Sequence, residues 1–158
     1  MSMTDLLMLF TALGAATVGG VFFAFSSFVM KALAQLPAAQ GVAAMQRINV
    51  VVINPWFMGA FMGTLLLSIA CVVVAGLLWS APRSAWLLAA GLLYAVGTFG
   101  VTMVFNVPRN DRLARLDAAS AEAAVYWPVY VREWIFWNHV RTAAGLVSAA
   151  CAVLVWTR

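Results

Sequence analysis

The sequence predicts an all-α fold, a bundle of four helices that cross a membrane. Of the 158 residues only 9% are charged and 65% are hydrophobic. This leaves too few charged side chains for the surface of a soluble domain. The charges are also clustered, and uncharged stretches of 25, 35 and 25 residues precede Lys31, Arg83 and Arg109. Because about 20 apolar residues cross a bilayer, each stretch is long enough for one crossing helix.

The chain 1–158 is therefore predicted to be one transmembrane domain. Its first segment differs from a cleavable signal, because Asp5 stands where a basic region is expected and the apolar run that follows is too long. The net charge of +4 does not indicate nucleic-acid binding, since the few arginines flank apolar spans as membrane orientation requires. Cys71 and Cys151 form no CxxC motif and are interpreted as small apolar core residues.

Four membrane spans are predicted, at about 5–30, 55–79, 85–107 and 134–156. Tryptophans lie near the ends of three of them, where amphipathic rings favour the membrane–water interface; these are Trp56, Trp79, Trp86, Trp134, Trp137 and Trp156. Asn54 and Pro55 are predicted to begin the second span, as the N-cap and the first helical residue. Pro82 falls in the short connector that follows that span.

Two longer connectors, 31–54 and 108–133, are each predicted to hold a short amphipathic helix on the membrane surface. The apolar residues that recur there at near-helical spacing are Val42, Met45 and Val52 in the first connector and Leu113, Leu116, Ala123 and Tyr126 in the second. Asn110 is predicted to cap the second helix, and Asp111 is predicted to pair with Arg115 four residues later.

Small residues on two spans predict where helices pack closely. They are Ala12, Ala16, Gly20 and Ala24 on the first span and Gly59 and Gly63 on the second. Small residues let backbones approach each other where no hydrophobic effect drives helix association in lipid. Both stripes are interpreted as packing surfaces within one bundle.

The basic residues predict the orientation of the bundle. The two longer connectors carry six of them, Lys31, Arg47, Arg109, Arg112, Arg115 and Arg132, whereas the opposite side carries Arg83 and Arg158. The positive-inside rule then places both long connectors in the cytoplasm and both termini outside. We expect an integral protein of a bacterial inner membrane.

The fourth span begins with polar residues. Only 16 residues, from Thr142 to Thr157, are free of charge, or about 24 Å of helix against a hydrocarbon core of roughly 30 Å. The helix should therefore begin near Trp134, which draws Asn138, His139 and Arg141 to the inner boundary of the membrane. At 100° per residue, one stripe is predicted to face the bundle, and its members are Trp134, Asn138, Arg141, Gly145, Ser148 and Ala152.

His139 is predicted to point about 100° away from Asn138. Asn138 and Arg141 are therefore the better candidates for an internal site. A lone histidine at this depth is more typically a residue of the membrane–water interface. Asn106 lies inside the third span, where an unpaired amide is costly. We expect it to pair with Asn138 or Arg141.

The third span ends in a second polar segment, NVPRND at 106–111. Pro108 is predicted to break the helix, and Asp111 is predicted to be a counter-ion for Arg141 or Arg109. Residues of these types are also common at ordinary helix ends. Asn49 and Asn54 of the first connector are expected at the same level of the membrane.

Two motifs in these polar segments resemble a known family. N-V-P-R-N-D-x-L-A at 106–114 and W-x-x-x-N-x-x-R-T at 134–142 are similar to those of the small membrane proteins of the DUF1772, or anthrone oxygenase, family. INVVVINPWF at 48–57 fits the family's first connector, so the resemblance covers nearly the whole chain. It implies oxidation of a polyketide anthrone to an anthraquinone, with neither metal nor flavin.

The resemblance also implies roles for individual residues. Deprotonation of an anthrone gives an electron-rich enolate that passes an electron to oxygen. A protein must supply a base, donors for the enolate oxygen and exclusion of water. The candidate catalytic residues are Arg141 and Asn138 as donors, His139 as the base and Asn106. The candidate substrate-binding residues are Trp134, Trp137, Asn54, Phe57, Asn110 and Asp111.

No cofactor is predicted, because one histidine and no Cys/His cluster argue against haem, di-iron and zinc sites. The predicted ligand is a hydrophobic aromatic molecule or a lipid. A non-catalytic membrane protein that binds such a hydrophobe, or an accessory subunit, fits the same residues. A transporter fits less well, since no charge is predicted near mid-membrane. A buried pocket of at least ~300 Å³ lined by Trp134 or Trp137 would favour ligand binding, and a filled polar core would favour a structural role.

Overall fold

The computed structural model describes residues 2–79 and 83–154, and the elements in these ranges are all helices. We number them α1 to α5, and they span Met3–Ala34, Ala38–Val51, Pro55–Leu77, Ser84–Ala114 and Ala121–Leu154. The all-α prediction is confirmed. Ser2 begins α1 as an N-cap in a capping box with Asp5, and Asn54 caps α3 ahead of Pro55 as predicted.

Three of these helices, α1, α3 and α4, are long and apolar enough to cross a membrane. They fit an integral membrane protein. Over its described length α5 is not among them, because polar residues interrupt its apolar sequence. It begins at Ala121, well before the predicted start near Trp134. The end of the predicted fourth span with Trp156, together with Pro82 and Arg158, lies outside the described residues.

Each of the four long helices packs against two others. α1 contacts α3 and α5, and α4 contacts the same two. The shorter α2 lies across α5 and the end of α4. Gln46 of α2 fixes this position, because its Nε2 donates to the carbonyls of Leu113 and Leu116, both at 2.9 Å. Both carbonyls lie at or just beyond the C-terminal end of α4, where a helix lacks the donors of a following turn.

The second connector differs from the prediction, because it contains no separate surface helix. α4 continues through Pro108 to Ala114 and α5 begins soon after, so Asn110 lies inside a helix and caps nothing. A π-helical segment, Thr102–Asn106, widens the turn just before Pro108. The Nη1 of Arg109 also donates to the Phe105 carbonyl at 2.7 Å. These two features let the helix pass a proline that usually ends one.

The close helix contacts occur at other glycines than those predicted. Gly20 and Ala16 are exposed, and a Cβ added to Gly59 or Gly63 would meet nothing within 4 Å. Instead, α1 and α5 approach at Gly19, since a Cβ on Gly145 would lie 3.4 Å from the Gly19 Cα. α3 and α4 approach more closely still, where a Cβ on Gly91 would lie 2.5 Å from the Ser68 carbonyl oxygen.

Candidate functional site

A cavity of about 230 Å³ lies where all five helices meet. Its walls are mainly apolar and aromatic, with a few polar groups, as small-molecule sites usually are. The wall residues that matter most below are Phe22 and Phe25 of α1, Asn49 of α2, Phe57 and Phe61 of α3, Thr102 and Asn110 of α4, and Trp134 and Arg141 of α5. Phe25 and Thr102 each begin a π-helical segment, a local widening that is frequent at functional sites.

Arg141 is the charged residue of this cavity and is only 5% exposed. Its guanidinium carbon lies 3.9 Å from the ring centre of Phe22 and 4.8 Å from that of Trp134. Both rings therefore make cation–π contacts with the guanidinium group. Its edges then carry the hydrogen bonds, from Nε to Asn138 Oδ1 at 2.7 Å and from Nη1 to Thr102 Oγ1 at 3.4 Å.

Arg141 has no carboxylate partner among the described residues. The two ion pairs in that part of the chain join Arg83 to Asp5 and Arg109 to Glu133. Asp111 is exposed and belongs to neither pair. The prediction that Asp111 would be the counter-ion of Arg141 or Arg109 is therefore wrong, as is its predicted pairing with Arg115. Asp111 lies on the solvent side of α4, whereas Glu133 of α5 lies within 2.9 Å of Arg109.

Asn138 holds Arg141 in place. Its Nδ2 donates to the Phe22 carbonyl at 2.7 Å and to the Ser26 hydroxyl, while its Oδ1 accepts from Arg141. Asn138 is fully buried and does not line the cavity. It is thus a positioning residue that ties α5 to α1. The whole stripe predicted to face inward, from Trp134 to Ala152, is buried, which confirms that prediction.

Asn106 is also fully buried but does not bond to Asn138 or Arg141. Its Nδ2 donates to the Trp134 carbonyl at 3.2 Å, and its Oδ1 has no partner among the described residues. The predicted partners are wrong because the Asn138 and Arg141 side chains turn toward α1 and the cavity. Asn106 joins α4 to α5 outside the cavity wall.

Asn110 lies on the wall and accepts two hydrogen bonds at Oδ1. One comes from the Tyr130 hydroxyl at 2.8 Å and one from the Trp134 Nε1 at 3.0 Å. Burial raises the pKa of the Tyr130 phenol, which keeps it protonated and able to donate. The three side chains fix the indole of Trp134 against Arg141.

Asn49 is a polar wall residue on α2. Its Nδ2 is buried and has no hydrogen-bond partner within the described ranges. The Tyr130 phenol nevertheless interacts with the Asn49 side chain, so this amide lies beside Tyr130 at the edge of the cavity. The sequence had placed Asn49 at the right level of the protein without assigning it a role.

The sequence match agrees with this geometry. Residues 55–151, more than half of the chain, match the model of the anthrone oxygenase family. The chain belongs to the anthrone oxygenase family. No curated protein and no solved structure matches it. The matched region covers α3, α4 and most of α5, and it contains Phe57, Asn110, Trp134 and Arg141.

Besides Asn106, Asp111 and Asn138, three further residues predicted to act in this family member lie away from the cavity. His139 is exposed and absent from the wall, as its helical position predicted. Trp137 stacks on Phe105 with ring centres 3.5 Å apart and does not reach the cavity. Asn54 accepts from the backbone N–H groups of Trp56 and Phe57 at 3.1 and 3.0 Å, so it holds Phe57 in place from behind the wall.

Several wall residues of this anthrone oxygenase family member were not predicted. Phe22 and Phe25 come from the aromatic-rich end of the first span, VFFAFSSF at 21–28, where an uneven aromatic density is the available signal. Thr102 is a hydroxyl inside an apolar span, and such polar residues mark candidate sites in membrane helices. In residues 2–79 and 83–154, no three His, Cys, Asp or Glu side chains form a group that could hold a metal ion.

Proposed function

We propose that the protein is a membrane-embedded oxygenase that oxidises an anthrone or another enolisable aromatic molecule without a cofactor. One observation carries the proposal. Arg141, a buried arginine with no carboxylate partner in the part of the chain that the structure describes, lines an aromatic-walled cavity in a chain of the anthrone oxygenase family. The family supplies the reaction class, and the cavity supplies a surface suited to a flat, poorly soluble substrate.

The reaction requires stabilisation of an enolate. Loss of a proton from the carbon opposite the anthrone carbonyl leaves an electron pair shared between that carbon and the oxygen. Arg141 is placed to donate hydrogen bonds to this oxygen from a water-poor environment, where such bonds are strongest. The enolate then reduces oxygen, and one anthrone and one O₂ give one anthraquinone and one water. Phe22, Phe61 and Trp134 limit access of water to the reacting ring.

The size of the cavity constrains how the substrate fits. Its volume of about 230 Å³ is below the ~300 Å³ typical of small-molecule sites but above the roughly 150 Å³ that encloses one benzene ring. The cavity therefore encloses only part of a three-ring aromatic such as an anthrone, and the rest of the molecule extends through the opening.

The opening suits a substrate that is dissolved in lipid. Ile53 and Met103 line the cavity and are 71% and 48% exposed. Around them lie further exposed apolar side chains, namely Val50, Val51, Trp56 and Val104. An exposed apolar surface of this kind marks a membrane or ligand contact, so we propose that substrates enter from the bilayer beside Ile53 and Met103.

The proposed membrane arrangement has four crossings. The apolar part of α5 from Trp134 onward forms the fourth, beside α1, α3 and α4, in a bacterial inner membrane with both termini outside. The amphipathic α2 then lies at the cytoplasmic surface below the cavity, and its face toward the protein buries Val42 and Met45. Labelling of single cysteines at Gln40 and Arg83 from each side of a sealed vesicle tests this orientation.

Purified protein supplied with an anthrone provides the test of the oxygenase proposal. We expect oxygen uptake above the spontaneous rate, one O₂ consumed for each anthraquinone formed, and one quinone oxygen labelled when ¹⁸O₂ is used. Uptake no faster than in detergent alone would remove the oxygenase for that substrate. Binding of the anthrone without turnover would instead support the alternative, a protein that binds hydrophobic molecules.

A further inference from the structure

The cavity contains a cation, Arg141, that no carboxylate of residues 2–79 and 83–154 neutralises. The Arg141 guanidinium contacts the rings of Phe22 and Trp134, and its hydrogen bonds use Nε and Nη1. A guanidinium carries five N–H donors, so the remaining edge is left for the space that Arg141 lines. Burying a charge is costly unless an opposite charge or several hydrogen bonds compensate for it.

The elements that pack around Arg141 supply no such charge and no base. α1 presents Phe22 and Phe25, α4 presents Thr102, and α2 and α3 contribute uncharged wall residues. Tyr130 is the titratable side chain whose charge acts on Arg141, and its hydroxyl already donates to Asn110. His139 is exposed and outside the wall. Within the described ranges the cavity thus has a cation and lacks an aspartate, glutamate or histidine that could accept a proton.

We infer that the cavity binds its aromatic ligand as a monoanion, with Arg141 as the counter-ion, and that no side chain of the protein takes up the ligand's proton. The inference rests on the proposed function and names the substrate class, namely flat aromatics with one ionisable enol or phenol group. The O–H or C–H bond of the neutral molecule breaks, its electron pair stays on the ligand, and the proton passes to water at the opening.

The wild-type protein alone gives a first test. The probe is 2-naphthol, a two-ring phenol whose absorption spectrum distinguishes the phenol from the phenolate. We expect the midpoint of its ionisation to fall by about one pH unit or more on binding, as an adjacent opposite charge produces. The uncharged analogue 2-methoxynaphthalene should bind at least tenfold more weakly at a pH where bound naphthol is ionised. An unchanged midpoint, or equal binding of the two probes, would overturn the inference.

Two matched variants locate the effect. Arg141→Gln removes the charge and retains hydrogen-bond donors, and we expect it to return the naphthol midpoint to its value in detergent. His139→Gln, two residues away and exposed, should leave the lowered midpoint unchanged. A midpoint that rises in His139→Gln would make His139 responsible and overturn the assignment to Arg141. The naphthol and methoxynaphthalene measurements use the wild-type protein. They therefore still test the inference if Arg141→Gln misfolds.

The result of the naphthol measurements can be distinguished from that of the oxygenase assay. A lowered midpoint without oxygen uptake from an anthrone would support the anion site and remove the oxygenase. Oxygen uptake with an unchanged naphthol midpoint would do the reverse, since the oxygenase would stand and the anion site would be overturned.

Discussion

The Nε of Arg141 donates to the Oδ1 of Asn138 at 2.7 Å, one turn earlier on the same helix. Asn138 in turn donates to the Phe22 carbonyl of α1. The neutral amide therefore orients the guanidinium without cancelling its charge. An aspartate at the same place would still accept from Arg141, but it would neutralise the guanidinium and could not donate to the Phe22 carbonyl. The neutralised charge is the difference between a site for an anion and a structural ion pair.

Asn138→Asp should lower the rate of anthrone-dependent oxygen uptake at least tenfold, because the carboxylate becomes the counter-ion of Arg141 and competes with the enolate. Ser26→Ala provides the control. It removes one partner of Asn138 and leaves the bond to Arg141, so we expect a loss of about 1 kcal/mol in stability and a rate within twofold of wild type. An undiminished rate in Asn138→Asp would argue against a free charge on Arg141.

Met103→Trp should slow turnover of a lipid-dissolved anthrone, because Met103 lines the cavity at its opening. The neighbouring Val104 is 62% exposed and does not line the cavity, so Val104→Trp adds the same bulk outside the opening. We expect kcat/KM to fall about tenfold or more in the first variant, a barrier change of roughly 1.4 kcal/mol, and to change little in the second. Similar kcat/KM values for the two variants would indicate that the substrate does not enter the cavity beside Met103.

Gly91→Ala should destabilise the protein, because the new methyl would lie 2.5 Å from the Ser68 carbonyl oxygen and would push α3 and α4 apart. Overpacking of this kind typically costs about 1–3 kcal/mol. At Gly20 a Cβ would meet nothing within 4 Å, so Gly20→Ala should be neutral or stabilising by up to about 1 kcal/mol. Thermal unfolding in detergent measures both, and equal midpoints would contradict the packing described here.

Tyr130→Phe should reduce the loss of stability at high pH. Burial raises the pKa of this phenol in the folded protein, one turn before the proposed membrane-crossing part of α5, while the unfolded chain titrates near the usual pKa of about 10. Ionisation of Tyr130 therefore leaves the free energy of unfolding unchanged below about pH 10. Above that pH it lowers the free energy of unfolding by up to about 1.4 kcal/mol per pH unit. Burial also raises the pKa of Tyr126, so some of the loss should remain in the variant. Identical slopes above pH 10 would contradict the burial of Tyr130.

Much of this fold follows from the sequence, because charge-free length and helical periodicity are local properties. The second span and its Asn54 cap, and the inward stripe from Trp134 to Ala152, depend on those properties alone. The path of the chain past Pro108 was mispredicted, since a π-helical turn and the Arg109 side chain compensate for the proline. The glycines at which helices touch could not be predicted from the sequence either. The α1–α5 crossing at Gly19 and Gly145 depends on how the two helices are rotated in the assembled protein.

The site was predicted less completely than the fold. Arg141 and Trp134 were correctly placed together, because they share a helical face. Asp111 was wrongly given as a counter-ion, because proximity along the sequence said nothing about which side of α4 it occupies. Phe22 and Thr102 were missed, since each is an ordinary residue of an apolar span until a second helix brings Arg141 against it.

The central claim is that Arg141, and not His139, stabilises the reacting oxygen of an aromatic substrate. Oxygen uptake by Arg141→Gln and His139→Gln, each measured with an anthrone against wild type, tests it most directly. We expect Arg141→Gln to lower kcat by about 10²-fold or more, as removal of an oxyanion donor does, and His139→Gln to stay within twofold of wild type. A normal rate in Arg141→Gln, or a comparable loss in His139→Gln, would contradict the claim.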